Sequence, residues 1–256
     1  MPLFDKIARD YDSLRWTEWK KVEFWGSLLA DRLSLHTGDT LLDAGCGTGT
    51  YTSYFARSGI CTIGTDISNE MLLQAVAKKG DCQYARADAS LLPFRDESFQ
   101  AVTAIMMIHH LSSEMRRRFF SEAMRVLKNG GRISLITEGH MDLRQSLWCL
   151  FPRVMDIDMQ RFPSTKTVVT ETMKAGFNPV KSERITGKFG KIDLKEVISR
   201  AAKKHLSTFH LMSEEEFASG LSIFECRLNR KYGTEVPDEQ HFTLITGVKG
   251  EGTAHL

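Results

Sequence analysis

The chain is 256 residues long, which is enough for one large domain or for a domain with an inserted cap. Its net charge of +2 is too small to predict nucleic acid or another polyanion as a partner. We expect no membrane span, because no apolar run approaches the roughly eighteen residues that a span needs. We expect no signal peptide, because residues 1–12 contain three aspartates and no apolar core. The five cysteines form no C-x-x-C pair, so we expect a cytoplasmic protein without a metal site or a disulfide framework.

The first part of the chain predicts helices followed by a turn. Residues 4–12 open a short amphipathic segment, and a longer helix is expected over residues 17–33, where apolar residues recur at helical spacing. Residues 36–39 then predict a turn into the first strand.

An apolar run over residues 40–44 reaches an acid, Asp43, and leads to glycines at every second position, Gly45, Gly47 and Gly49. This order predicts a buried strand, a tight turn and the start of a helix. Glycine lets a ligand approach the backbone, and the free N–H groups of a helix N-terminus bind anionic groups. Dinucleotide sites favour G-x-G-x-x-G, in which the third glycine comes one residue later than here. The spacing instead resembles motif I of the class I S-adenosylmethionine (SAM) methyltransferases.

Residues 60–66 predict the second strand, which ends in Asp66 some twenty residues after the glycines. Ser68 is a suitable N-cap for a helix over residues 69–79, and Gly80 is a suitable C′ residue for its end. An acid at the end of this strand can accept hydrogen bonds from both hydroxyls of a ribose. Alternatively, Asp66 only caps the helix; the glycine turn upstream favours ribose binding.

Residues 83–89 predict a short third strand that ends in a second acid, Asp88, and residues 96–106 predict the fourth strand. The order of the A-D-A, L-P-F and E-S-F triplets in this region resembles the methyltransferase group that includes ubiquinone and menaquinone biosynthesis enzymes. The resemblance implies that Asp88 accepts from the adenine amino group and that the Ala89 N–H meets the adenine ring. It also implies that the backbone of Ile105 contacts the methionine part of SAM.

The Phe-Asp, Ala and Tyr-Asp pattern of residues 4–12 resembles the leader of many small-molecule methyltransferases, where it folds over the cofactor. By this resemblance Tyr11 is part of a lid; the alternative is an N-terminal helix that simply packs on the sheet. With SAM as cofactor and S-adenosylhomocysteine as product, the expected cofactor-binding residues are Tyr11, Asp43, Gly45, Gly47, Thr48, Asp66, Ile67, Asp88, Ala89 and Ile105.

His109 and His110 leave the fourth strand near the strand ends where ligands gather in parallel sheets. Methyl transfer from a sulfonium is an in-line displacement, so the main task of such an enzyme is to align the reactants. A base is needed only when the nucleophile begins protonated, and imidazole titrates near neutral pH. The two histidines are therefore the candidate catalytic residues, with a packing or positioning role as the alternative. The pattern does not choose between them.

The remaining elements alternate less regularly. We expect helices over residues 112–127, 165–175, 194–204 and 213–231, strands over 132–137, 179–185 and 241–248, and a flexible tail at 250–256.

Strands and helices that alternate from residue 40 to 137 predict parallel βαβ units with right-handed crossovers. We therefore expect an α/β fold, a Rossmann-like, doubly wound sheet of seven strands with helical cap insertions, and the family resemblance implies that the last strand is antiparallel. One domain is expected over residues 1–249. Its core comprises about 37–140, 165–186 and 240–249, and its helical cap comprises 1–33, 141–164 and 187–239.

These features predict a SAM-dependent methyltransferase that acts on a small molecule, as a monomer or homodimer. The aromatic and methionine content of the helical cap suits an apolar or planar acceptor. Two alternatives stay open: a methyltransferase that acts on a protein or RNA, and a non-catalytic SAM-binding or scaffold protein. A dehydrogenase with the same sheet is disfavoured by the glycine spacing and by Asp88.

Overall fold

A computed structural model describes residues 3–14 and 18–250 of the chain. In these residues the strands form one seven-stranded sheet. The strands are β1 (Thr40–Ala44), β2 (Cys61–Asp66), β3 (Gln83–Arg86), β4 (Phe99–Ile105), β5 (Leu127–Thr137), β6 (Phe177–Asp193) and β7 (Glu235–Lys249).

Helices connect the strands and build the helical cap. They are α1 (Leu3–Ile7), α2 (Tyr11–Leu14), α3 (Trp19–Leu33), α4 (Thr50–Arg57), α5 (Asn69–Ala77), α6 (Ser113–Val126), α7 (His140–Gln145), α8 (Val154–Arg161), α9 (Thr165–Lys174), α10 (Leu194–Ala202) and α11 (Glu214–Tyr232). Short 3-10 helices lie at Ile108–His110, Leu147–Leu150 and Ser207–Leu211. In the described part of the chain, no helix combines the length and the apolar character that crossing a membrane requires.

The strand order is β3-β2-β1-β4-β5-β7-β6. The first five strands pair in parallel, whereas β7 is antiparallel to both of its neighbours. This confirms the expected Rossmann-like α/β sheet with an antiparallel last strand. The chain reverses direction along the sheet between β1 and β4, so the carboxyl ends of these two strands flank a crevice of the kind that binds ligands in such folds.

Alternate residues of the central strands feed two hydrophobic clusters, one on each face of the sheet. Leu42 and Val102 pack in one cluster with Phe119 of α6. Leu41 packs in the other cluster with Trp25 of α3. Both clusters consist of side chains that are almost wholly removed from water, which is the main source of stability in such a domain.

A third hydrophobic cluster lies within the helical cap. It joins buried residues that are far apart in sequence, among them Phe151, Val197, Phe209, Phe224 and Val236. The cap therefore has packing of its own besides its attachment to the sheet.

The last two strands are longer than the sequence indicates. The strand expected at 179–185 runs over Phe177–Asp193, and the one expected at 241–248 runs over Glu235–Lys249. Their pairing continues as far as Asp193 and Glu235, beyond the reach of β5, and α10 and α11 connect the far ends. Gly190, with a φ of 100°, lies at a register shift in this ribbon, as glycines at β-bulges often do.

Other helix and strand ends also differ from expectation: β5 begins at Leu127 instead of residue 132, and β4 is confined to Phe99–Ile105. The helix after Ser68 ends at Ala77, and the left-handed residue that follows is Lys79 with a φ of 48°, so Gly80 is not the C′ residue. The third strand ends at Arg86 because Asp88 turns the chain: its Oδ1 accepts from the Ser90 N–H at 2.8 Å. Most of the tail expected at 250–256 lies outside the described residues.

The sequence predicts the start of a helix more accurately where a side chain caps the first turn. Ser68 accepts a hydrogen bond from the Met71 N–H, Ser112 caps α6 in the same way, and Ser213 begins a capping box with Glu216. These interactions are local, which is why a short stretch of sequence predicts them.

Candidate functional site

The glycine turn joins β1 to α4 at the centre of the sheet. Gly45, Gly47 and Gly49 all have positive φ values, of 70°, 54° and 72°. A Cβ on Gly49 would lie 2.4 Å from the hydroxyl of Tyr84, whereas one on Gly47 would meet nothing within 4 Å. Gly47 therefore needs glycine for its backbone conformation and leaves room beside the turn for a ligand.

Asp43 is buried beneath this turn. Its Oδ2 accepts a hydrogen bond of 2.6 Å from Thr52 Oγ1 in α4. Burial raises the pKa of the Asp43 carboxyl to about 6; the Thr52 hydrogen bond opposes this rise, and the nearby charge of Asp66 adds to it. The Asp43 carboxyl therefore changes its protonation state close to neutral pH.

Asp66 lies at the end of β2 and contacts the glycine turn directly. Its Oδ2 accepts from the Gly47 N–H at 2.9 Å, and its Oδ1 accepts from the Ser68 N–H at 2.8 Å. Burial raises the pKa of Asp66, and hydrogen bonds from three backbone N–H groups oppose the rise. A carboxylate offers about four lone-pair sites, so Asp66 retains capacity for further donors.

Asp66 does not line the cavity described below, and neither do three other predicted residues, Ile67, Asp88 and Ala89. The Ile67 side chain is 49% exposed, Asp88 holds the turn with Ser90, and Ala89 packs against the core. Their role in cofactor binding stays a prediction.

The N-terminal segment closes over the glycine turn. Asp12 Oδ1 accepts a 2.5 Å hydrogen bond from Thr48 Oγ1, and Asp12 Oδ2 pairs with Lys78 Nζ at 2.6 Å. Asp5 accepts a hydrogen bond from Ser68, the N-cap of α5. These contacts bring Tyr11 into the wall of the cavity.

The two histidines face different surroundings. His109 is 7% exposed, lines the cavity and stacks on Phe162 with ring centroids 4.0 Å apart. His110 is exposed; its Nδ1 lies 3.4 Å from Arg161 and its ring meets the edge of Phe4. Both histidines belong to the 3-10 helix Ile108–His110, which follows β4 and Met106, a residue with a φ of 52°.

A cavity of about 260 Å³ runs from the glycine turn to the helical cap. Of the predicted site residues, it is lined by Tyr11, Asp43, Gly45, Gly47, Thr48, Ile105 and His109. The cap contributes both apolar and polar residues, among them Leu147, Trp148, Met155, Asp158, Phe162 and His205.

Several lining residues were missed by the sequence analysis. Glu138 directly follows β5, and the rule that ligands gather at strand ends could have found it. Asp158 and Thr208 meet across 50 positions of the chain, through a hydrogen bond of 2.6 Å. No local pattern announces such a pair.

Comparison with known proteins gives a match between residues 42–135 and the methyltransferase domain family. The chain is 39% identical over 137 residues to the Arabidopsis thaliana tRNA (carboxymethyluridine(34)-5-O)-methyltransferase. The aligned region covers 53% of this chain and 31% of that protein. The chain is 31% identical to the Beutenbergia cavernae demethylmenaquinone methyltransferase, over 51% of this chain and 54% of that one. The chain thus spans from a third to about half of these relatives' lengths.

Solved structures resemble the whole fold. An Anabaena variabilis protein named as a methyltransferase of an antibiotic biosynthesis pathway has a TM-score of 0.68 at 23% identity, and the match covers 87% of this chain and 95% of that one. The Haemonchus contortus phosphoethanolamine N-methyltransferase 2, solved with S-adenosyl-L-methionine, has a TM-score of 0.62 at 18% identity, over 96% of this chain and 57% of that one. At these identities the likeness shows the fold alone.

Proposed function

We propose that this chain transfers a methyl group from SAM to a small-molecule acceptor. Two findings support this: residues 42–135 match the methyltransferase domain family, and the sheet has the strand order of class I methyltransferases. One observation carries the proposal: a single cavity joins the glycine turn to the helical cap. A donor at the turn and an acceptor under the cap would thus lie in one cavity, where they can be aligned for in-line transfer.

The residues at the turn fit SAM. Gly47 leaves the space beside it open, and the N-terminus of α4 supplies N–H donors for a carboxylate. Asp66 retains lone pairs for ribose hydroxyls while its present bonds hold the turn. Asp43 places a carboxyl with a pKa of about 6 in the cavity wall, where negative charge favours a cationic ligand.

When bound, SAM supplies a methyl group already activated by its sulfonium. This chain's own residues would then position the acceptor and exclude water. The N-terminal segment closes the turn through Asp12, and the helical cap closes the other end with Trp148 and Phe162. Water-free enclosure strengthens every electrostatic contact inside the cavity.

We infer that His109, rather than His110, handles a proton of the acceptor. His109 lines the cavity, and stacking on Phe162 fixes its ring plane. His110 is exposed and its Nδ1 is turned toward Arg161. A general base must come within hydrogen-bond reach of the proton it takes, and of the two rings this condition favours His109.

The donor half of the proposal is tested by calorimetry with SAM and S-adenosylhomocysteine. Both should bind the wild type, and Asp66→Ala should weaken binding by at least about tenfold because a charged hydrogen-bond acceptor is lost. Asp81→Ala removes an exposed acid close to the start of β3 and should leave binding unchanged. No binding of either compound at millimolar concentration would overturn the proposal.

The transfer half is tested by an acceptor screen with labelled SAM, in which release of S-adenosylhomocysteine reports turnover. Turnover on a small molecule supports the proposal. SAM binding with no turnover on any acceptor supports a non-catalytic SAM-binding protein.

An RNA acceptor is the second candidate, favoured by 39% identity to a tRNA methyltransferase. Helix α6 contains three consecutive arginines at residues 116–118. They do not form an obvious RNA-binding surface, because Arg116 pairs with Glu171 and Arg118 with Glu114. Unmodified tRNA belongs in the same screen, and labelled tRNA with no labelled small molecule would favour this candidate.

A further inference from the structure

The end of the cavity under the helical cap is lined by apolar side chains and by acids. Its apolar walls come from Leu147, Trp148 and Phe162, two of which are aromatic. Among the described lining residues the charged side chains are acids, including Glu138 and Asp158, and no lysine or arginine is present. Aromatic faces and carboxylates both favour a cation over an anion.

Asp158 is the acid best placed to contact a ligand under the helical cap. It is 5% exposed and lines the cavity. Its Oδ1 accepts from Thr208 Oγ1 at 2.6 Å and from Arg161 at 3.3 Å, whereas Oδ2 has no donor among the residues that the structure describes. Burial raises the pKa of this carboxyl, and the Thr208 hydrogen bond and the charge of Arg161 oppose the rise.

Arg161 does not supply a counter-site for an anion. Its guanidinium is already directed at Asp158, Ser207, Thr208 and His110. It does not belong to the cavity lining, and burial lowers its pKa. Arg161 thus holds the wall together while the second oxygen of Asp158 is left for a donor.

His205 lies in the same wall. Its Nδ1 donates to the Arg200 carbonyl oxygen over 3.0 Å. Its ring packs on Trp148, with centroids 4.3 Å apart. The wall therefore places the Asp158 carboxylate near packed aromatic rings.

We propose that the acceptor at this site is a small planar molecule with a protonated amine, and that Asp158 receives that amine. This inference rests on the proposed function, since it names the substrate class of the same cavity. The amine anchors the molecule through a charge-assisted hydrogen bond while its ring lies against the aromatic wall.

Three indole compounds with different side-chain charges test the proposal on the wild-type protein. Tryptamine carries an ammonium group, indole-3-ethanol is neutral and indole-3-acetate is an anion. Titrated by calorimetry into protein saturated with S-adenosylhomocysteine, tryptamine should bind at least about tenfold more tightly than indole-3-acetate, with indole-3-ethanol between them. Binding of indole-3-acetate equal to that of tryptamine, or no binding of any of the three, would overturn the inference.

A pair of variants on one helix assigns the effect to Asp158. Asp158→Asn keeps the shape and should lower the affinity for tryptamine about tenfold while changing that for indole-3-ethanol less than threefold. Asp156→Asn removes the same charge from an exposed position of α8 and should leave all three affinities unchanged. An unchanged tryptamine affinity in Asp158→Asn would contradict the role of Asp158.

The two proposals fail separately. Binding of S-adenosylhomocysteine is measured in the same samples, so its loss in the wild type counts against the proposed function. Its presence with the wrong order of indoles counts only against the inferred acceptor class. Retained S-adenosylhomocysteine affinity in Asp158→Asn also shows that this variant is folded.

Discussion

Thr48 in the glycine turn donates a 2.5 Å hydrogen bond to Asp12, 36 positions earlier in the chain. The other oxygen of Asp12 pairs with Lys78, just beyond the end of α5. One carboxylate thus fastens the N-terminal segment to two elements that flank the expected cofactor. The segment is therefore positioned as a cover, and Asp12 supplies two of the contacts that hold it in place.

Asp12→Ala should loosen this cover. Because the ion pair is half-exposed, its loss costs at most about 1 kcal/mol, but the open segment should raise the dissociation constant for SAM about threefold to tenfold. Trypsin cleavage at Lys6 and Arg9 should become faster, and excess SAM should slow it again. Asp10→Ala is the matched control, since Asp10 is exposed in the same segment. Equal cleavage and equal affinity in the two variants would contradict the role of Asp12.

Gly47→Ala should distinguish the conformational role of the glycine turn from its role in ligand binding. Gly38 shares its features, with a positive φ and no atom within 4 Å of the position that a Cβ would take, but lies in the turn before β1. Both alanine variants should lose about 1 kcal/mol of unfolding free energy through backbone strain. Only Gly47→Ala should lose SAM affinity, by about tenfold or more in calorimetry. Similar SAM affinity in both variants would show that ligands do not approach Gly47.

The features that the sequence predicts well are those fixed by neighbouring residues. The glycine turn, the strand that ends in Asp66 and the N-cap at Ser68 each depend on a few positions, and each appears in the structure. The parallel pairing of β1 to β5 follows from the alternation of strands and helices, which predicts βαβ units. The antiparallel β7 came from the family resemblance.

The features that escaped prediction are set by distant contacts. His109 and His110 are adjacent in sequence, and only the fold shows that His109 stacks on Phe162 whereas His110 is exposed. Asp158 gains its role from Thr208, which lies 50 positions away. Such pairs form when helices without a shared local pattern pack together, so a single sequence does not reveal them.

His109→Ala should lower kcat by about a hundredfold or more if its imidazole takes a proton from the acceptor, and leave the SAM dissociation constant unchanged. His110→Ala should change kcat less than threefold, because its ring faces solvent and Arg161. Phe162→Leu tests packing alone: it removes the stacked ring and keeps the histidine. A loss of kcat in Phe162→Leu equal to that in His109→Ala would assign His109 a structural role.

Asp43 should make the stability of the protein depend on pH. Its folded pKa of about 6 exceeds the ordinary 3.8, so the folded state holds this proton more tightly than the unfolded state does. Below pH 3.8 both states are protonated and the carboxyl costs nothing. Between pH 3.8 and about 6 the Asp43 carboxyl ionises in the unfolded state before it does so in the folded state. The free energy of unfolding therefore falls until the pH passes about 6.

The shift corresponds to up to about 3 kcal/mol, since each pKa unit is worth about 1.4 kcal/mol. Asp43→Asn keeps an acceptor for Thr52 and removes the charge, so it should be more stable than the wild type at pH 7 by up to this amount, and no more stable near pH 4. Urea unfolding at a series of pH values measures the difference, in which the other titrating groups cancel. Asp81→Asn, an exposed control, should differ from the wild type by a constant amount. A difference for Asp43→Asn that is equally constant with pH would show that this carboxyl titrates normally.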